Sequence, residues 1–477
     1  MRTSSQRHAS QKRPIVKAPF DTKTPWPIVR SHRTDVSDAH WREAKKTASS
    51  FDDESAVSSI TGNIVCGWAP GPTLYFEDHR GTALVTEQAA RRFEYRMLGL
   101  AGDHDLYLVT SPRNMNHETY FQTKVDLGSP TIIAVDVAAV AETGNLALAC
   151  VEDRAAFDTI VTTCRNAGTL NIAPYQMSYG VWTLGRAIAK AAGFKVRIIG
   201  PPTSVSHFAN NKTKFVTLVT RLLGKDACPL TSERQTPVGL EKYLSGLAHD
   251  HQTLVIKHPS SAGGLGNLKI KSSELLALPT EARRHWLREK ILRIGWRPGQ
   301  IMLAGVWVDN VSLSPSVQMW IPLTVNGPPI VEGIFMQTVN GDHAAFTGAM
   351  RIVLNDDLTD RMVSEATRIG LVYQSLGYYG RLSLDSVLVD TSDEARRLKW
   401  IEANARWGGV SIPMTICNRI TGGLEPCDFQ VVQEPVDPNS EHVAEPSNVI
   451  RLLPKESDLH IAIRLEASKL GWSQWPN

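Results

Sequence analysis

The chain has 477 residues, 42% of them hydrophobic and 21% charged, with a formal net charge of +3. That length accommodates two or three domains with sizeable cores, and the composition is that of a soluble globular protein, not a fibrous or disordered one. The near-neutral balance gives no bias towards nucleic acid or a membrane surface, and no apolar run approaches the roughly 20 residues needed to span a bilayer.

Residues 1–50 are rich in Ser, Lys, Arg and Pro, and the first 20 carry five basic residues and no acidic one. Pro14 and Pro19 interrupt any amphipathic helix and no apolar h-region is present. A disordered basic extension over residues 1–55 is therefore expected in preference to a transit peptide. The six cysteines are scattered, without Cys-x-x-Cys spacing, which fits reduced, buried thiols in a cytoplasmic protein.

From about Thr61 the texture changes. Leu106–Thr110 and Thr131–Val135 read as buried strands, and Thr86–Gly99 as a helical stretch. Val181–Ala192 has helical spacing with Gly193 as its stop, and Lys195–Ile199 then reads as a strand before the Gly200-Pro201 turn. This alternation argues for an open, mostly parallel α/β domain. It contains no Gly-x-Gly-x-x-Gly, so it is not read as a dinucleotide site. Next, Lys212 and Lys214 fall in the first turn of a helix marked by Phe215, Leu218, Val219, Leu222 and Leu223; on spacing alone they read equally well as solvated lysines.

Leu254–Pro259 reads as a strand that runs into Ser260-Ser261-Ala262-Gly263-Gly264-Leu265-Gly266 and then a second strand, Asn267–Lys271. A glycine-rich turn with free N–H groups and two hydroxyls can fold over an anion, and Lys257 sets a point charge beside it. No Gly-Lys-Ser/Thr follows and no helix begins there, so this is not a Walker A loop. Taken alone it is an ordinary turn.

Further on, Gln337 and Arg351 sit in strand-like segments that face either an active site or solvent. Leu358–Leu376 has helical periodicity through Leu358, Met362, Ala366, Ile369, Val372 and Leu376, and Gly377 closes it. Arg381–Asp390 and Lys399–Gly409 alternate as strands around a polar link, which predicts an antiparallel hairpin. Alternate side chains of a strand share a face, so Glu402, Asn404 and Arg406 line up on one side and Ile401, Ala403 and Ala405 on the other. A hairpin symmetric about its loop puts Asp385 opposite Glu402. Opposed carboxylates repel unless a cation lies between them, so Asp385, Glu402 and Asn404 read as a hard-oxygen set for Mg²⁺, with Mn²⁺ equally compatible. Arg406 suits a phosphate or carboxylate, and Gly408 and Gly409 let backbone approach a ligand. Past residue 430 the chain turns Pro- and Glu-rich and ends in a helix-like stretch, Asp458–Leu470.

Together, Val255-Ile256-Lys257-His258-Pro259 with its Ser-Ser-Ala-Gly-Gly-Leu-Gly loop, Gly380–Asp385, and Glu402-Ala403-Asn404-Ala405-Arg406-Trp407-Gly408-Gly409 resemble the ATP-grasp superfamily over roughly residues 206–416. The resemblance implies an α/β fold: a Rossmann-like pre-ATP-grasp domain over 56–205, then a two-lobed α+β grasp with its N-terminal lobe at 206–300 and its C-terminal lobe at 301–430, and a C-terminal extension over 431–477. It implies ATP and Mg²⁺ as cofactors. Lys257 would meet the nucleotide phosphates, and Ser260, Ser261, Gly263, Gly264 and Gly266 would form a lid over them. Lys212, in preference to Lys214, would be an earlier phosphate lysine. Backbone around Val306, Trp307 and Val308 would hold adenine, Asp385, Glu402 and Asn404 the metal, and Arg406 would act with Lys257 in catalysis. The usual acidic residue at the hinge is missing; only Asp309, slightly late, stands near it.

The activity so implied is an ATP-dependent carboxylate–amine ligation through an acyl phosphate, with ADP and phosphate released and small-molecule acids and amines (amino acids or peptides) as partners. Within the superfamily, the pre-ATP-grasp domain, the Ser-Pro-Ser-Val-Gln run before Met319 and the Arg-Trp-Gly-Gly ending look most like the peptide ligases of specialised metabolism, of the pheganomycin type. Two alternatives stand: an ATP-grasp kinase acting on a hydroxyl, and a catalytically silent nucleotide-binding protein, which the missing hinge acid favours and the intact Asp-Glu-Asn-Arg set opposes. Homodimers are common among similar enzymes, but these residues do not set an oligomeric state.

Overall fold

Short apolar runs separated by helices give the first of three sheets. The computed structural model describes residues 24–51, 63–82, 84–261, 264, 266–341, 345–393, 397–423, 426–436 and 448–465. Strands β1 (Ile64–Cys66), β2 (Thr73–Phe76), β3 (Leu106–Thr110), β4 (Thr131–Val135), β5 (Leu170–Pro174) and β6 (Val196–Ile198) lie in the order β1-β6-β5-β2-β3-β4. Every pair is parallel. Strands β2, β3 and β5 are buried at every position, as expected for parallel strands covered on both faces. Helix Tyr179–Ala192 covers one face and ends at Gly193, whose φ of +79° suits a residue without Cβ. From β2 the chain proceeds to β3 and β4, then returns to β5 on the other side of β2. The crevice beyond the carboxyl ends of β2 and β5 is therefore the topological switch point, where open α/β sheets bind ligands.

The second sheet is antiparallel: β7 (Thr231–Arg234), β8 (Thr253–Lys257), β9 (Asn267–Lys271) and β10 (Met302–Val306), in the order β7-β10-β8-β9. Leu254, Ile256, Ile270, Met302 and Ala304 pack from it against Leu240 and Leu244 of one helix and Leu287 and Ile291 of another. Strand β10 completes this sheet, which therefore runs to Val306.

The third sheet has nine strands: β11 (Val311–Leu313), β12 (Pro315–Ile321), β13 (Ile330–Asn340), β14 (Ala345–Arg351), β15 (Gly380–Val389), β16 (Leu398–Asn404), β17 (Phe429–Pro435), β18 (Val449–Arg451) and β19 (Leu459–Leu465). Their order is β11-β15-β12-β13-β14-β17-β19-β18, with β16 paired to β15. Helix Asp356–Ser375, capped by the Asn355 side chain, buries Met362, Ala366 and Ile369 against this sheet. The region expected to end in a helix over Asp458–Leu470 instead forms β19 at Leu459–Leu465, because Ile461, Ile463 and Leu465 turn the same apolar face inward at period two. Residues 466–470 lie outside the described residues.

The disordered extension expected at residues 1–55 also needs correction over 24–51. Helix Asp38–Ser49, with a Ser37 cap, lies against helix Asp356–Ser375 and is tied by Glu43 to Arg368 at 2.8 Å. Trp26 packs edge-on against Trp407 (centroids 4.9 Å apart) and Trp320 (6.1 Å), and tilted against Tyr75 (6.1 Å). Burial of one large ring between two sheets is enough to order a segment that composition alone marks as polar. Among the described residues, no helix is long and apolar enough to cross a membrane.

Candidate active site

A cavity of about 720 Å³ opens where the three sheets meet. Its acidic floor comes from the β15–β16 hairpin. The register pairs Asp385 with Glu402 and Ser383 with Asn404, as the symmetric hairpin anticipates. A bulge follows between Asp385 and Ser386, so Trp400, not Ile401, pairs with Ser386. The extra residue lets Ile401 and Glu402 both line the cavity while Trp400 turns into the core. Strict alternation had put Ile401 on the far face.

Asp385 is held by three donors: Ser316 Oγ (2.6 Å) and Gln337 Nε2 (3.1 Å) to one oxygen, and Asn404 Nδ2 (2.8 Å) to the other. Burial, then the charge of Glu402, pushes its carboxyl up to about 6 against those donors. Glu402 goes the other way. Burial opposes its charge, but the ammonium of Lys212 at 2.7 Å, with Lys257 and Arg406 nearby, outweighs burial and holds Glu402 below the usual carboxylate range. Asn404 Oδ1 accepts from Arg406 Nη2 at 2.7 Å, and Arg406 also donates to Asn210 Oδ1. Asn210 Oδ1 receives the Ala405 N–H as well, so one amide fixes the strand end and the guanidinium together.

The residue set fits Mg²⁺ or Mn²⁺: two opposed carboxylates and an amide oxygen, all hard donors, on one strand pair. Among the described residues no group of three or more His, Cys, Asp or Glu side chains is placed to hold a metal ion.

Lys212 is buried at the start of helix Lys212–Leu223 and reaches the cavity, where it bridges Glu402 and the Ser261 carbonyl (2.6 Å). Lys214 does not line the cavity. Lys257, the last residue of β8, projects into it; burial, with the charge of Lys212 added, holds its ammonium below the ordinary lysine range despite the pull of Glu402. Of the glycine-rich turn, Ser261 and Gly264 line the cavity, whereas Ser260 and Gly266 do not, and Gly263 lies outside the described residues. Gly266 is required by packing: a Cβ there would meet Ser261 Oγ at 2.2 Å. Val306, Trp307 and Val308 form the opposite wall with Asp309, and the Val306 and Trp307 N–H groups are spent on Leu230 and Thr253 carbonyls. Gly408 and Gly409 border the cavity, where a Cβ on Gly409 would strike the Phe346 ring at 2.8 Å. Gln337 faces the site; Arg351 does not, lying over the Phe335 ring and near Asp428.

Sequence reasoning missed the wall supplied by the first domain. His79, Arg92, Phe93, Arg96 and Tyr175 complete the cavity opposite the hinge. Glu77 and His79 follow directly on β2, and Tyr175 follows on β5, at the switch point of the parallel sheet. The available signal was the Glu-Asp-His-Arg run immediately after a short apolar strand.

No family model matches the chain, and no curated protein matches its sequence. Solved structures do resemble it. The biotin carboxylase of Campylobacter jejuni, determined as a β-γ-ATP complex, superposes with a TM-score of 0.52 at 12% identity, covering 83% of this chain and 87% of that one. The biotin carboxylase domain of Hydrogenobacter thermophilus 2-oxoglutarate carboxylase, determined with MgADP, ADP and bicarbonate, gives 0.50 at 12% identity, covering 83% and 86%. At that identity the likeness is one of fold, and the fold is mixed α/β and ATP-grasp-like.

Proposed function

We propose that the protein is an ATP-dependent carboxylate–amine ligase that forms an amide through an acyl phosphate and releases ADP and phosphate. One observation carries this reading: Asp385, Glu402, Asn404, Lys212, Lys257 and Arg406, drawn from both antiparallel sheets and the helix between, converge on a single cavity. On this reading the parallel sheet is the pre-ATP-grasp domain and the second and third sheets are the two lobes that hold ATP between them. The solved relatives in complex with ATP-type nucleotides support that placement.

A carboxylate approaching a triphosphate meets like charge, and phosphoryl transfer is largely a problem of positioning and charge neutralisation. Asp385, Glu402 and Asn404 would hold Mg²⁺, which would supply positive charge at the phosphates. Lys257 adds a point charge from the end of β8, and Lys212 is within reach of the same groups from its helix. Arg406, fixed by Asn210 and Asn404, presents a planar fork to the transferred phosphoryl group or the acyl phosphate. Ser261 and Gly264 place the glycine-rich turn over this region, where shielding protects an intermediate that water would hydrolyse. Val306–Val308 borders the adenine, with Asp309 the nearest acid to the ribose.

The remaining cavity, between Arg406 and the first domain, takes the acid and the amine; amino acids or short peptides, as in the peptide ligases of specialised metabolism, are the proposed class. The test is ADP and phosphate release with Mg-ATP across a panel of amino acids and short peptides, offered singly and in pairs. Turnover that needs an acid and an amine together, with a condensed product lighter by one water in mass spectrometry, is the expected result. A persistent phosphorylated product from a single substrate would replace the ligase with a kinase.

A further inference from the structure

The first-domain wall contains a second set of chemistry. Glu77, with no exposed side-chain surface, sits at 2.6 Å from His79 Nε2. A carboxylate at that distance requires a donor, so in the neutral ring the proton is on Nε2 and the lone pair on Nδ1. No hydrogen-bond partner of Nδ1 is found among the described residues, and His79 lines the cavity. The ring is clamped between Tyr175 (centroids 4.2 Å apart) and Phe93 (5.0 Å), and Arg96 stacks on the same two rings while its guanidinium binds both Glu77 oxygens, including the one that His79 contacts. Tyr175 also ties this group to the catalytic strand: its carbonyl accepts the Trp407 N–H at 3.0 Å, one residue beyond Arg406. The imidazole is thus oriented by a buried acid, immobilised by two aromatic rings and anchored beside Arg406.

We infer that His79, oriented by Glu77, is the general base of the amide-forming step, its Nδ1 taking the proton from the attacking amine. This rests on the ligase reading above. Nδ1 takes a proton from the ammonium form of the amine and passes it to solvent, which frees the lone pair to form the C–N bond at the acyl phosphate carbonyl. The acyl C–O bond then breaks with its electron pair on the phosphate, and the second nitrogen proton leaves with the phosphate. A base must be neutral when the amine arrives. Burial holds His79 below the usual imidazole range; Glu77 pulls it up, and Arg96 and Arg406 push it down. Those three charged groups and the Tyr175 and Phe93 rings are what surround it. The arrangement follows the logic of a carboxylate-oriented histidine base, here placed at the sheet's switch point and not on the grasp lobes.

The experiment compares two nucleophiles on the full-length protein with an acid that the panel shows to release ADP. One is the amine partner from the same panel, which is protonated at neutral pH and needs a base. The other is hydroxylamine, which is largely unprotonated there and traps the acyl phosphate as a hydroxamate. In His79→Gln, amide formation is expected to fall by about 10²–10³-fold, in the range that general bases contribute, and hydroxamate formation by less than about ten-fold. The inflection of the amide pH profile that belongs to His79 should be lost, leaving the limb set by the amine's own ionisation, and in His79→Ala added imidazole should restore part of the rate. Equal losses with both nucleophiles, or an unchanged pH profile, would overturn the base assignment and leave the ligase reading standing. A wild-type protein that yields neither ADP nor hydroxamate with any acid of the panel would overturn both.

Discussion

The two sides of the cavity solve opposite electrostatic problems with opposite architecture. On the hairpin side, Asp385 and Glu402 face each other on adjacent strands, and their mutual repulsion is relieved by Lys212 and Lys257 from other elements and by Arg406 just past β16. On the first-domain side Glu77 is neutralised by the Arg96 guanidinium and accepts a hydrogen bond from His79. The first arrangement gathers charges from several elements; the second is a closed group in which His79 Nδ1 has no hydrogen-bond partner among the described residues. The proposed ligation, which would bind a polyanion and then move a proton, uses both, and their placement on different sheets separates the proposed base from the proposed metal ligands.

The most direct way to break this contrast is at Glu402. Glu402→Ala removes one of the opposed carboxylates from a strand whose pairing is backbone-made, so ADP formation should fall by at least about 10³-fold while the circular dichroism spectrum stays that of the wild type. Turnover at the wild-type rate would remove the hairpin from the chemistry. The next largest effect concerns what holds the two sides together. Trp26 touches Tyr75 of β2, Trp320 of β12 and Trp407. Trp26→Ala should cost about 3–5 kcal/mol of stability, the usual range for a buried Trp, measured by denaturant unfolding. Where the variant remains folded, nucleotide binding should survive better than ligation, because Trp26 packs the parallel sheet against the nine-stranded sheet. Lys257→Ala comes third. It removes binding energy present in both ground and transition states, so KM for ATP should rise about 10–100-fold with a smaller change in kcat.

What could be read in the sequence follows the same division. The hairpin was legible because its chemistry is contiguous: alternation shows the face, loop symmetry shows the register, and Asp385, Glu402 and Asn404 are all on one strand pair. Even there the bulge that turns Ile401 into the cavity was not readable, since a single inserted residue leaves no mark on composition. The first-domain wall was illegible for a different reason. His79 and Tyr175 are almost a hundred positions apart and meet only because β5 returns to lie beside β2, a fact of topology that neither segment carries alone. Trp26 was lost in a stretch whose Pro, Lys and Ser content outweighed one buried ring. In Leu459–Leu465 the period-two pattern was present, but the longer helical reading across Asp458–Leu470 obscured it.

The subtlest expected effect separates the two sides by pH. Asp385 titrates at about 6, raised by burial and by Glu402, and a metal takes the ionised form. Below that value each lost pH unit should therefore weaken Mn²⁺ binding by about tenfold, because one proton must leave for each metal bound; above it, affinity should level off. The sign is opposite for Glu402, whose depressed carboxyl is already ionised over this range and adds no slope. Mn²⁺ titrations of the ADP-saturated protein, followed by electron paramagnetic resonance between pH 5 and 8, measure this directly. His79→Gln should leave the curve in place, since Glu77 and His79 contact none of the proposed metal ligands, while Asp385→Ala should remove both the binding and its slope. A curve that moved with His79 instead would mean that the two sides of the cavity titrate as one network, and the division of labour between them would fall.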